Sequence, residues 1–406
     1  MGGSRLELLK NFPYRRLTAL LDGIEPAQSP LFLQIGEPQD AVPDMVLPTV
    51  TANAAHLGKY PPPNGAPDYN EAVARWIEGR YGLEAGAVDP VTQVTALCGT
   101  REGLFQAALM AIIRKRERMR DPGIAPAVLV PNPMYHVYFG GAVVGDADPI
   151  LLNATAENGF LPDYAGLPES VLDRTAICYL CTPGNPTGAV ASPEAVRDLL
   201  ALARKHDFVL AVDECYSEIW FDRAPAGGFD AAQALGGTEN LLVFNSLSKR
   251  SGSPGLRCGF VAGDPELVEA MTLLRSYGGA QVPGALMAAG TALWRDEAHA
   301  VANRERYHNL VQIADHHLSG IPGYRKPEAG FFLWMDVSAT FGDGEAAARR
   351  LWADAGVKAL PGRYMARPDP STDASPGDAY LRLALVHDPD TVARAMERVA
   401  GVFSAA

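Results

Sequence analysis

Five short apolar runs in this sequence each end in polar residues able to bind an ion, add to a carbonyl or move a proton. Residues 241–244 lead into Asn245-Ser-Leu-Ser-Lys249, and Arg257 stands eight positions past that lysine. Val212 is followed by Asp213-Glu-Cys-Tyr216, Cys181 by Thr182-Pro-Gly-Asn-Pro-Thr-Gly188, and Val130 by Pro131-Asn-Pro-Met-Tyr135. Residues 94–98 run into Gly99-Thr-Arg101. Taken together these offer an amine, a carboxylate, two phenols and several anion-binding groups. A helix starting near Glu102 would add unpaired N–H groups and positive dipole potential beside Gly99, Thr100 and Arg101, which suits a phosphate. Each residue also has a plainer reading: a lysine past a strand is commonly solvated, and an aspartate there is commonly a helix cap. Asn185 could be a turn residue between Gly184 and Pro186, and Tyr216 a core tyrosine.

The elements that must position these groups are legible from periodicity. Strands are predicted at residues 127–130, 175–181, 208–213, 241–244 and 258–263, alternating with helical patterns as in a parallel sheet wrapped by helices. Ligands in such sheets bind just outside the carboxyl ends of the strands, where the five polar groups lie. Between the second and third strands a helix is predicted, with Ser192 as N-cap, Pro193 at its first position, and Val196, Leu199, Leu200 and Ala203 on one face. After about residue 290 the pattern changes to a long helix at 298–318, then Gly-punctuated strands such as 330–336. Residues 17–22 read as a short helix, 31–36 as an extended run, and 367–378 as an exposed loop. The expected division is a large domain at 44–290 and a smaller one built from 1–43 plus 291–406.

In motif order and spacing, from Gly36 to Arg382, the chain resembles the fold-type I enzymes that use pyridoxal 5'-phosphate, specifically the class I/II aminotransferases. The resemblance implies an α/β fold with a mostly parallel central sheet and a smaller α+β domain. It implies that Lys249 binds the cofactor covalently and shuttles the α-proton, that Asp213 pairs with the pyridinium nitrogen, and that Tyr216 and Asn185 hydrogen-bond the ring oxygen. Gly99, Thr100, Arg101, Ser246, Ser248 and Arg257 match the cofactor-binding positions around the phosphate and lysine, and Tyr135 matches the aromatic that stacks on the ring. Tyr60 matches a tyrosine reaching the phosphate of a neighbouring subunit, so a homodimer with shared sites is implied. Arg382 matches the arginine gripping the substrate α-carboxylate, and Gly36 a residue whose backbone approaches it.

Several segments further resemble the bacterial N-succinyldiaminopimelate aminotransferases of lysine biosynthesis: Asp213-Glu-Cys-Tyr-Ser-Glu-Ile219, Ser246-Leu-Ser-Lys-Arg-Ser251, Pro254-Gly-Leu-Arg257 and Leu360-Pro-Gly-Arg-Tyr-Met-Ala-Arg367. Gly278-Gly-Ala-Gln-Val-Pro283 departs from that pattern. The implied reaction moves an amino group between glutamate and a keto acid such as N-succinyl-2-amino-6-oxopimelate. Other specificities, aspartate among them, a carbon–sulfur lyase on the same fold, and a non-catalytic binding module are the alternatives. A substrate with distant carboxylates needs further cations, because burying an unpaired carboxylate is costly. Arg363 is expected to supply that contact, with Arg16 second.

The remaining composition excludes more than it adds. A formal charge of -12 opposes nucleic acids and anionic membranes. The charged first ten residues and the lack of a long apolar run predict a cytoplasmic protein. Five cysteines, an odd number scattered along the chain, read as reduced thiols. Cys178 and Cys181 form a C-x-x-C, but three residues apart on a strand they face opposite ways, so no metal site is expected. Neither H-E-x-x-H nor a Walker loop is present, and Gly140-Gly-Ala-Val-Val-Gly145 lacks the dinucleotide spacing.

Overall fold

The computed structural model describes residues 5–10 and 12–406. Its first strand, Leu31–Phe32 (β1), pairs with Val357–Lys358 far along the chain. Seven further strands make the central sheet: Val94–Leu97 (β2), Ala127–Asn132 (β3), Asp148–Asn153 (β4), Thr175–Cys181 (β5), Val209–Asp213 (β6), Leu241–Ser246 (β7) and Gly259–Gly263 (β8), in the order β2-β8-β7-β6-β5-β3-β4. The strands β2, β3, β5, β6, β7 and β8 are buried along nearly their whole length, as expected of a sheet covered on both faces by helices. Strand β4, at the sheet edge and only half-buried, has a weaker apolar pattern and is absent from the strand list that periodicity yields.

Six of the seven strands point the same way, and β8 alone runs antiparallel to both neighbours. The chain between β7 and β8 holds only a single helical turn, Leu247–Arg250, and a short 3-10 turn, too little for a crossover that would carry it to the other end of the sheet. It doubles back instead, leaving Ser246 opposite Gly259 in register. That return turn carries Lys249 and Arg257. Strand order reverses between β3 and β5, since β4 lies outside β3 while β5 lies inside it. The crevice at such a reversal is where this architecture opens to a ligand.

The helix Pro193–His206 joins β5 to β6 and begins as its sequence signals require, with Ser192 accepting from the Ala195 N–H. Beyond the long helix Ala298–Leu318, strands Phe332–Asp336 (β9), Val357–Lys358 (β10), Leu360–Pro361 (β11) and Tyr380–Ala384 (β12) form two small sheets. Their hydrophobic cluster draws Leu17, Leu20 and Leu33 from the N-terminal segment together with residues 307–403. Leu381 and Leu383 are fully buried there, so alternation along β12 turns Arg382 to the other face, against the crevice.

Candidate active site

The carboxyl ends of β5, β6 and β7 open into one cavity of about 580 Å³, closed on its far side by Ile35, Gly36, Glu37, Phe332 and Arg382. Asp213 is the last residue of β6. Its carboxylate is buried, accepting from the Tyr138 hydroxyl at 2.6 Å and from the Cys215 N–H at 3.2 Å. Burial pushes its pKa up, and these two hydrogen bonds only partly counter that. Lys249, on the turn after β7, donates to the Gly36 carbonyl, and its nitrogen sits 5.3 Å from the Phe331 ring centre. Desolvation lowers its pKa to about 8, so roughly a tenth is the free amine at pH 7, far more than for a solvated lysine.

On the β2 side, Gly99 precedes the helix Thr100–Arg118 with φ +74°, and a Cβ there would lie 2.0 Å from Arg257 Nη2. Only glycine leaves room for the guanidinium beside the helix start. Arg257 is itself held by the Pro254 carbonyl at 2.9 Å and the Cys98 carbonyl at 3.2 Å. The Ser246 hydroxyl lies 2.9 Å from that of Ser248, and the Thr100 hydroxyl 3.1 Å from Cys215 Sγ. Arg101 donates from Nε to the Tyr135 hydroxyl at 2.7 Å.

Arg382 is buried, donating to Asn185 Oδ1 at 3.0 Å and to the Gln34 carbonyl at 2.8 Å, while its Nε has no partner among the described residues. Tyr216 packs edge-on to Phe331 and Phe332 at 5.4 and 5.7 Å. Gly36 lines the cavity, yet what excludes a side chain there is packing: a Cβ would lie 2.4 Å from the Phe332 ring.

Three predicted positions are not among the residues lining the cavity, and of these Gly99 acts only through the room it leaves for Arg257. Tyr60 is fully exposed on this chain. Arg363 requires a correction: it does not line the crevice, because Asp373 at 2.6 Å and Asp378 at 2.8 Å hold its guanidinium on the adjoining loop. Sequence reasoning missed Tyr138, which reads as an ordinary core tyrosine, although it stands three residues past Tyr135 on the helix beginning at His136. It also missed Tyr14 and Glu37, whose segment carries no strand-end signal.

The sequence profile described as "Aminotransferase class I and II" matches residues 30–399. The chain belongs to the class I and II aminotransferases. The LL-diaminopimelate aminotransferase of Desulforudis audaxviator is 32% identical over 376 residues, covering 91% of this chain and 89% of that protein. The 4-dedimethylamino-4-oxo-anhydrotetracycline transaminase of Streptomyces rimosus is 32% identical over 390 residues, covering 95% and 96%. Among solved structures, an aminotransferase from Neisseria meningitidis superposes with a TM-score of 0.90 at 36% identity, covering 98% of this chain and 99% of that one.

Aminotransferases of this class depend on pyridoxal 5'-phosphate, and the crevice of this one suits that group. Asp213 is a buried carboxylate with no lysine or arginine set against it among the described residues, so a cationic ring N–H is the partner its surroundings lack. The space kept by Gly99 beside Arg257 and the start of the following helix collects donors for a phosphate. Lys249, lowered to about 8, supplies an amine able to add to an aldehyde. Among the described residues no helix of the aminotransferase is long and apolar enough to cross a membrane, and no cluster of side chains could hold a metal ion.

Proposed function

We propose that this aminotransferase exchanges an amino group between glutamate and a keto acid bearing a distant carboxylate, N-succinyl-2-amino-6-oxopimelate first among them. The observation that carries this reading is the convergence of Lys249, Asp213 and Arg382 on one cavity that continues past Tyr135 into a second, arginine-lined one. The relatives named LL-diaminopimelate aminotransferase support the pimelate skeleton. Their names carry no succinyl group, which makes unmodified LL-diaminopimelate the second reading.

In this reading the bound cofactor supplies an aldehyde for the incoming amine and a ring that accepts electrons from the α-carbon. Lys249 would hold it, and its amine would take the proton from the substrate α-carbon and give it back in the exchange. Asp213, kept in place by Tyr138, favours the protonated ring nitrogen. Arg382 grips the α-carboxylate with its two terminal nitrogens and fixes which bond of the α-carbon faces the ring. Ser246, Ser248, Thr100 and Arg257 hold the phosphate, with Tyr135 and Asn185 flanking the ring. Residues 44–290 form the unit that carries this machinery, and 1–43 with 291–406 the unit that closes over it. Tyr60, fully exposed here, serves the site of a second copy, so the active species is a homodimer.

Two measurements test this. The holoenzyme is mixed with single amino acids and the cofactor absorbance followed. Glutamate and N-succinyl-LL-diaminopimelate should react fastest, and a clear preference for alanine or aspartate over both would overturn the substrate. Mixing Tyr60→Phe and Lys249→Ala proteins should regenerate some near-native sites, whereas none after verified subunit exchange would refute sharing.

A further inference from the structure

A second cavity, about 110 Å³, adjoins the first and shares Tyr14, Arg101, Tyr135, Asn185 and Arg382 with it. Four arginines line it, Arg16, Arg101, Arg367 and Arg382, and no acidic side chain does. In a chain of net charge -12 this is a local inversion. The guanidinium groups are held chiefly by neutral partners. Arg367 donates to the Leu8 carbonyl at 2.7 Å and lies 4.2 Å over the Phe139 ring. Arg16 lies 3.9 Å over the Tyr364 ring, and its pairing with Glu345 is loose at 3.7 Å. Among the described residues Arg101, Arg367 and Arg382 form no ion pair. Burial and the neighbouring Arg16 both lower the pKa of Arg367, and His136 is pushed down to about 4, so its ring adds no charge at neutral pH. Cations gathered this closely with one loosely held counter-ion among them repel one another, and an incoming anion relieves that cost.

We propose that this small cavity is the subsite for a substrate carboxylate remote from the reacting carbon, gripped by Arg16 and Arg367 while Arg382 holds the near one. This rests on the reading of a long dicarboxylic substrate, and it moves the distal contact from Arg363 to the two arginines that face the crevice. Arg16 comes from the helix Pro13–Leu20 and Arg367 from the loop before β12, so the N-terminal segment and the smaller sheets meet at the subsite. Specificity for a distant acid then belongs to elements outside the central sheet.

The test uses the holoenzyme with pimelate and heptanoate as inhibitors of the glutamate half-reaction, since they share a chain and differ in the second carboxylate. Pimelate should bind at least about tenfold tighter, and Arg16→Gln or Arg367→Gln should each shrink that preference by about tenfold, as expected for one charge-assisted contact. Should Arg367→Gln fold poorly, Arg16→Gln alone decides, and Arg367→Lys should retain part of the preference. No preference in the unaltered enzyme, or an unchanged ratio in folded variants, overturns the subsite. If that happens while N-succinyl-LL-diaminopimelate is still turned over rapidly, the substrate reading survives without it. If pimelate is preferred through these arginines but the succinylated substrate is not used, the subsite stands and the substrate falls.

Discussion

The two sides of the crevice are built differently. On one side Asp213 and Ser246 end adjacent parallel strands whose register fixes their spacing, and Lys249 follows on the turn after β7. On the other, Arg16 and Arg367 arrive on a short helix and a loop, Arg367 held by the Leu8 carbonyl and the Phe139 ring, Arg16 by the Tyr364 ring and a loose pairing with Glu345. The first side is rigid because moving Asp213 or Ser246 would break a buried ladder of hydrogen bonds, and Lys249 follows directly on that ladder's end. The second can vary its residues without disturbing the sheet. Chemistry placed on the first and selectivity on the second allow a change of substrate that leaves the reaction intact.

If that contrast holds, the largest effects must come from the strand-end side. Lys249→Ala should lower turnover by about 10⁴-fold or more, because it removes both the amine that holds the cofactor and the proton carrier. Borohydride should no longer trap cofactor on the chain. Substantial turnover, or trapping on another lysine, would mean that the strand-end reading has chosen the wrong residue.

Asp213→Asn should cost about 10²–10³-fold in activity, since a neutral amide no longer favours the protonated ring nitrogen. Its effect on the apoprotein should have the opposite sign. The folded pKa of Asp213 is raised by burial, so the native state binds this proton more tightly than the unfolded chain does. Stability is therefore lost as pH rises above the ordinary aspartate range, and at neutral pH the ionised carboxylate is a cost that asparagine removes. Thermal unfolding of the apoprotein should show a higher midpoint for the variant. A lower midpoint would place Asp213 in the scaffold rather than in the chemistry.

The same linkage applies to Lys249, with the sign of a base. Its folded pKa of about 8 lies below the roughly 10.4 of an unfolded lysine. Below pH 8 both states are protonated and the folded state bears the whole cost of the buried ammonium. Between those values the unfolded chain binds more protons, so stability rises with pH, by roughly 3 kcal/mol in total. The stability difference between apoprotein and its Lys249→Met variant should narrow across this window. A difference independent of pH would show that the amine is solvated.

How much of this was legible in the sequence follows the same division. Asp213, Lys249, Arg257 and Asn185 could be placed because an apolar run predicts a strand and a strand predicts where its next residue emerges. The antiparallel sense of β8 was not legible, since its apolar pattern is that of its parallel neighbours and only the shortness of the preceding connection sets its direction. Tyr138 was invisible for a different reason: its role is a single hydrogen bond from an otherwise buried core position. Arg363 and Arg367 lie in one sequence window with nothing in the pattern to tell them apart, because a loop has no period to say which side chain turns inward.

The smallest expected effect therefore falls on Arg363. Its guanidinium spans Asp373 and Asp378, and the first of these carboxylates is largely solvated. Exposed pairs of this kind contribute from nothing to about 1 kcal/mol, because solvent screens the attraction and ordering two side chains offsets it. Arg363→Leu should thus lower stability by about 1 kcal/mol or less in denaturant unfolding. The ratio of kcat/KM for a succinylated substrate to that for pyruvate should stay within about twofold, since no cavity atom is removed. Arg367→Leu, four residues on, should collapse that ratio by comparison. Were Arg363→Leu to alter the ratio as strongly, the loop would have to reorganise around bound substrate, turning Arg363 away from Asp373 and Asp378. The adaptable side of the crevice would then include a residue that the ion pairs hold outside it.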